Sequence, residues 1–391
     1  MQLLGSLRSA RGPDATLEEA VVKIGRTMKM VVAAVALVVT AGACQPGWVN
    51  AMIGSGDGSG TAPGTVGVPY ASAALQQPTG VATGPDGSVY VYDAAECAVY
   101  RQSGDTLSLY AGTPGSCGNS GNGGPATSAQ IDAGISVVPG VETPNMYPMT
   151  VDGSGNLYFF GSSTWTLRRI DAETGQISAT GIPHDTSEYD LPGVTGLATD
   201  RDGSIVVLLW TYRDSGPLYD KPTSADILRF DAGSFTPVTS WEMTTLADHD
   251  LTTPAIGLAV LSDGAYLTAT PVGGSFHLFR IAASTGSATD VEAESAVLLP
   301  LTMTTDAFGN AYVTTSTNQI VRVEPDGWSP VIAGSGTADP GTTRQYGLAT
   351  DLDISPVGLA MSRNGHLLFS SGHTVYHLHE PASVPSIRSA E

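Results

Sequence analysis

The residues best suited to chemistry in this chain are its histidines and the acidic groups near them. His373, His377 and His379 stand close together near the C-terminus, followed by Glu380. On a strand, His377 and His379 share one face. Imidazoles in that pattern suit a transition metal. A three-histidine metal site needs a geometry that spacing does not supply, so a hydrogen-bonded or solvated pair is the simpler expectation. A second group runs from His184 to Asp190, with His249 and Asp250 further on. It offers oxygen and imidazole ligands to a divalent cation such as calcium, though solvated turn charges account for it more simply. Asp152, Asp200 and Asp306 lie in Gly-containing turns, where Asp is common for turn reasons alone. No Gly-x-Ser-x-Gly elbow occurs in a strand–helix context, and no His-Glu-x-x-His is present. The residues therefore assign no catalytic group, no cofactor and no resident metal.

A different chemistry, recognition, is suggested by residues 210–224. Trp210, Tyr212, Arg213, Tyr219 and Lys221 fall in one short segment, and Lys221 is the only lysine beyond the first 29 residues. Aromatics beside arginine are the usual make-up of binding hot spots. A self-packed surface loop would have the same composition. The whole chain carries a formal charge of −20, which disfavours nucleic acid and anionic membrane surfaces as partners.

The elements that must position these residues repeat. One unit, an apolar strand, an Asp/Asn-Gly turn and a second apolar strand, recurs six times around Gly87, Gly155, Gly203, Gly264, Gly309 and Gly365. A third strand brings a basic residue into register: Arg101, Arg169, Arg229, Arg280, Arg322 and finally His377. The third copy has the longest spacing from glycine to basic residue, which marks the insertion at 210–224. Because every copy has the basic residue whatever its loops do, a repeated structural contact is expected rather than a functional ring. A fourth strand closes most units, for example Thr106–Tyr110. Six antiparallel four-stranded sheets make an all-β six-bladed β-propeller, whose blades bury their faces against one another. The last copy lacks a fourth strand, and Val49–Gly56 is similar to Ser329–Gly336, so the N-terminal strand is expected to complete the last blade and remove an open edge.

The front of the chain reads as an export signal. Lys23, Arg26 and Lys29 precede the apolar run Met30–Thr40, then Ala41-Gly42-Ala43-Cys44. That run is shorter than the roughly 20 residues of a membrane span. The cysteine after Ala-Gly-Ala resembles a bacterial lipobox, which implies lipid attachment at Cys44. The organisation expected is a signal region at 1–43 (with Met28 a plausible true start), a tether at 44–48, a propeller at 49–380 and a flexible tail at 381–391.

The segments joining the blades resemble those of bacterial NHL-repeat proteins. Tyr110-Ala-Gly-Thr113 leads to Gly121-Asn-Gly-Gly-Pro-Ala-Thr-Ser-Ala-Gln-Ile131, with weaker echoes at Ala71–Leu75 and Ala349–Leu352. The resemblance implies fold rather than one activity. In this topology Cys97 lies just before the third strand of the first blade and Cys117 just after its fourth. Both sit at one end of the blade, so a disulfide is expected. Met146 and Tyr147 are expected near the channel entrance. The inner strands are small and apolar, without His or Glu. The reading is an exported, monomeric propeller on the outer face of the cell membrane, held there by its lipid anchor alone. It would bind a protein, peptide or glycan on one face. The alternative is a metal-dependent lyase or lactonase using the central channel.

Overall fold

Each turn glycine takes a φ between 78° and 91°, a conformation that closes a tight hairpin and that other residues adopt only at a cost. The flanking strands are buried on both faces and so are mostly apolar: every residue of Val89–Asp93, Leu157–Gly161 and Ala311–Thr315 is buried. The computed structural model describes residues 47–134, 147–161, 166–183, 192–212, 222–242, 256–272, 275–291, 302–339 and 346–379. Cys44 and the leader lie outside them.

The described strands form six antiparallel sheets. Their inner strands are Pro78–Thr83, Met149–Val151, Pro192–Thr199, Ile256–Val260, Met303–Thr305 and Leu359–Met361, in blades I to VI. Six apolar clusters fill the gaps between neighbouring blades, one for each gap around the ring. The arrangement is a closed six-bladed β-propeller. Two sheets carry a short fifth strand on the outside, Val68–Pro69 on blade I and Tyr346–Leu348 on blade VI, both supplied by connectors.

The N-terminal strand closes the ring as expected. β1 (Trp48–Gly56) pairs antiparallel with His373–His379, matching Trp48 to His379 and Asn50 to His377. It becomes the fourth strand of blade VI. Its other edge is covered by Tyr346–Leu348.

The three connectors that share the Ala-rich pattern adopt one shape. Each makes a single 3-10 turn, at Tyr70–Ser72, Ala126–Ser128 and Ala349–Asp351. Each drops small and branched side chains into an interblade gap: Ala73 and Leu75, Ala126 and Ile131, Ala349 and Ile354. Cys97 and Cys117 are joined, tying the turn before the third strand of blade I to the connector that leaves that blade.

Close approach of the inner strands explains their glycines. A Cβ on Gly196 would lie 2.5 Å from Leu258 Cβ and 2.9 Å from its backbone nitrogen, so blade III meets blade IV through backbone alone at that point.

Candidate functional site

The six inner strands enclose the axis. At the end where they begin, a cavity of about 50 Å³ is bounded by Tyr147, Thr195, Gly196, Gly257, Met303 and Gly358 among others. Tyr147 therefore stands at the entrance, as its sequence position suggested, packed at 5.6 Å against Tyr92. Met146 lies outside the described residues. Thr195 is fully buried and its hydroxyl has no hydrogen-bond partner. Below the entrance, Val81, Met149, Leu197, Leu258, Met303 and Leu359 line the channel, which widens to a cavity of about 250 Å³ at the far end.

Threonines at that far end stitch neighbouring strands together. Thr83 donates to Met361 O at 2.8 Å, Thr199 to Val151 O at 3.0 Å and Thr305 to Val260 O at 2.7 Å. Their hydroxyls serve the ring rather than a ligand. Among the described residues lining both cavities, none offers a carboxylate, imidazole or side-chain amide. A catalytic metal in the channel, of the kind the lactonase or lyase reading calls for, does not fit this wall.

The repeated basic residues make repeated ion pairs with turn carboxylates at the far end of the blades. Arg101 meets Asp86 at 2.6 Å, Arg169 meets Asp171 at 2.7 Å, and Arg229 meets Asp200 at 2.6 Å and Asp202 at 2.5 Å. Arg280 meets Asp263, and Arg322 meets Glu324 at 2.8 Å. Asp152 and Asp306 instead tie their own turns, each accepting from the Asn that follows the turn glycine and from a tyrosine hydroxyl. All three inner-strand-end aspartates thus have structural work.

These pairs predict an acid-sensitive contribution. Hydrogen bonds from Ser204 to Asp202 and from the Ala265 N–H to Asp263, with the arginines adding to both, hold these carboxyls below the usual range. A depressed folded-state pKa gives stability that is complete above the unfolded value, about 4, and is lost as pH falls through the folded one. The melting temperature is therefore expected to fall more steeply below pH about 4 in the wild type than in Asp202→Asn/Asp263→Asn. Parallel slopes would show that the pairs are inert. Because the pairs are largely exposed, the difference should shrink in high salt.

The residues singled out for recognition are only partly placed. The insertion in blade III is in part a lengthened hairpin and not wholly a surface loop. Ile205–Tyr212 and Pro222–Asp231 pair as far out as Tyr212 and Pro222, so the backbones of Trp210 and Tyr212 are strand. Arg213, Tyr219 and Lys221 lie outside the described residues, as do His184, Asp190, His249 and Asp250.

The histidines regroup. His373 sits at the opposite end of its strand from His379, with Nδ1 3.1 Å from Leu75 O. Its place beside His377 and His379 is taken by His366, from the hairpin of the same blade. The ring centroids are 4.6 Å apart for His366–His377, 5.2 Å for His366–His379 and 4.2 Å for His377–His379. One ligand atom from each lies within 4.8 Å of the others, and this is the one such cluster among the described residues. Burial, with the neighbouring imidazoles of His379 and His366 adding to it, lowers His377 to about 4. Burial also lowers His379. Sequence spacing grouped the wrong third histidine. The signal that finds His366 is its register opposite the third strand.

No family model and no curated protein matches the chain. Solved structures do match. A Bacteroides thetaiotaomicron protein of unknown function superposes with a TM-score of 0.54 at 14% identity, over 84% of this chain and 75% of its own. A gluconolactonase from Xanthomonas campestris gives 0.47 at 14% identity, over 78% of this chain and 86% of its own. Streptogramin B lyase gives 0.45 at 13% identity, over 79% and 94%. The likeness to the Bacteroides protein is one of fold. At such identities the likeness extends to fold and leaves activity to the site itself.

Proposed function

We propose that this chain is an exported, lipid-anchored, NHL-like propeller that binds a protein, peptide or glycan on the face where its inner strands begin. The observation that carries this reading is the entrance. A tyrosine, a buried threonine hydroxyl without a partner among the described residues and glycine backbone surround a small cavity over an apolar constriction, which suits holding part of a ligand rather than a metal. The insertion bearing Trp210, Tyr212, Arg213, Tyr219 and Lys221 would add hot-spot contacts to the ligand. Anchoring rests on the basic, apolar and Ala-Gly-Ala-Cys44 sequence.

The lactonase or lyase reading draws on the names of the structural neighbours. It asks for metal ligands that the described channel wall lacks. Two measurements separate the readings. Peptide and glycan arrays probed with the purified chain are expected to give a hit that Tyr147→Ala weakens about tenfold or more, a hot-spot loss. Turnover of lactone substrates that disappears with EDTA, without any array hit, would replace the binding reading with the enzymatic one. For the anchor, Cys44→Ser is expected to move the protein from the membrane fraction to the soluble one. A variant that stays in the membrane fraction refutes lipidation at Cys44.

A further inference from the structure

Blade VI departs from the ion pairing of the other five. His377 stands where Arg101, Arg169, Arg229, Arg280 and Arg322 stand. Its turn reads Ser362-Arg363-Asn364-Gly365, with Asn364 in the place of Asp86, Asp202 and Asp263, and Ser362 in the place of Asp152, Asp200 and Asp306. His366 follows the turn glycine, where the other blades have Ser88, Asn156, Ser204, Ala265 and Asn310. His379 lies two residues beyond His377, the place from which Asp171 and Glu324 reach the arginines of their blades. Histidine thus stands at the arginine position, two residues beyond it and after the turn glycine in this one blade, whose turn has no carboxylate.

We infer that His366, His377 and His379 form a binding site for a divalent transition metal, with zinc the best fit. The three imidazoles converge from the hairpin just before Leu367–Ser371 and from the adjacent strand His373–His379, with their ligand atoms within 4.8 Å of one another. Zinc bonds to imidazole nitrogen of 2.0–2.1 Å set the nitrogens about 3.4 Å apart in a tetrahedron, a gap that side-chain rotation closes. His366 Nδ1 is buried and has no hydrogen-bond partner, so one lone pair or proton of the cluster is unsatisfied without a ligand. Three nitrogen ligands and no carboxylate favour zinc, nickel or copper over calcium or magnesium.

The surroundings supply an orienting group. The Asn50 amide nitrogen Nδ2 lies 3.0 Å from His379 Nε2 and donates to it. A half-turn of the amide would present its oxygen to an Nε2 proton instead and leave Nδ1 for the metal, the usual outer support of a ligating histidine. Asn50 belongs to β1 and pairs with His377, while Trp48 pairs with His379. The metal would therefore bind at the seam that closes the ring, next in sequence to the membrane tether.

The test uses the full chain, purified without a histidine tag and stripped with EDTA. Equilibrium dialysis against zinc, with metal measured by mass spectrometry, is expected to find one zinc per chain. Binding should raise the melting temperature and slow hydrogen exchange in β1. Asn364→Asp/His377→Arg restores the pairing of the other blades, so it should fold while losing zinc affinity about 100-fold or more. His366→Gln should also weaken binding, and His277→Gln, outside the cluster, should not. No zinc retained by the wild type, or equal affinity in the wild type and the Asp/Arg variant, overturns the inference.

Discussion

Replacing Arg168 with alanine is expected to destabilise the propeller by about 1–3 kcal/mol, the range for removing the donor from hydrogen-bonded groups screened from water. Arg168 is 1% exposed, one of the largest fully buried side chains among the described residues. It sits on the third strand of blade II at a place filled by Tyr100, Leu228, Phe279, Val321 and Tyr376 in the other blades, all buried. Those side chains meet a neighbouring blade. Arg168 meets the connector 113–131, whose backbone turns through the gap between blades I and II without a regular ladder. The part-buried carbonyls there need donors. Arg168 supplies them, giving Nη1 to Gln130 O at 2.7 Å and Nη2 to Ser120 O and Asn122 Oδ1 at 3.0 Å each. Phe159 lies under the guanidinium, 5.9 Å from ring centre to Cζ. Burial lowers its pKa to about 10, so the group remains charged at neutral pH.

Truncation leaves those part-buried acceptors without their charged donor, which costs more than the net worth of the bonds where water cannot reach them. The same connector is held at its other end by the Cys97–Cys117 disulfide, which spans 20 residues and contributes roughly 3 kcal/mol by loop-closure entropy. Two anchors on one segment should be coupled: Arg168→Ala should cost less in a Cys97→Ala/Cys117→Ala background, where the connector is already released. Urea unfolding of the four proteins in this cycle checks both claims. A cost below about 1 kcal/mol for Arg168→Ala, or strict additivity, contradicts the anchoring role.

Arg168 also shows where sequence reading stops. The turn glycines and the third-strand basic residues recur at near-constant spacing, so the hairpins, the blade number and a repeated structural contact by those residues are legible from periodicity, while their carboxylate partners are not. Ring closure by β1 and the Cys97–Cys117 pairing follow once the strand order is known. Arg168 beside Arg169 looks like a doublet. Strand alternation sends one to the turn carboxylate and the other into the gap, and only the path of the connector makes the buried position tolerable. His366 is hidden for a related reason. It is 11 residues from His377 in sequence, while Leu368 is the residue opposite His377 in register, so the hairpin brings His366 to the cluster. His373 is nearer in sequence and ends at the far end of the strand, because six residues of extended chain span about 20 Å. The outer strands Val68–Pro69 and Tyr346–Leu348 carry no alternation that a two- or three-residue pattern could reveal.

Removing β1 is expected to have the largest effect of all. The strand supplies Val49 and Ile53, both completely buried, to two different interblade clusters. Each contributes about 1.5–3 kcal/mol of burial, and the ladder to His373–His379 adds bonds worth about 1 kcal/mol apiece. Together these approach the total stability of an ordinary domain, about 5–15 kcal/mol. Deletion also uncovers two strand edges at once, on His373–His379 and on Tyr346–Leu348. Exposed edges of that kind recruit other chains. A chain lacking residues 47–56 should therefore lose its cooperative unfolding transition and run as oligomers on size exclusion. The missing strand differs from a lost core residue in one respect: it can be returned as a separate molecule. A synthetic peptide of residues 46–57 offers the same backbone pairing and the same two apolar anchors, as in strand complementation elsewhere. It is expected to restore a monomeric species with a single transition, and the same peptide with Val49 and Ile53 both changed to Asp is not. If the deleted chain stays monomeric with an unchanged melting temperature, blade VI is stable without its fourth strand and ring closure lies in the interblade clusters alone.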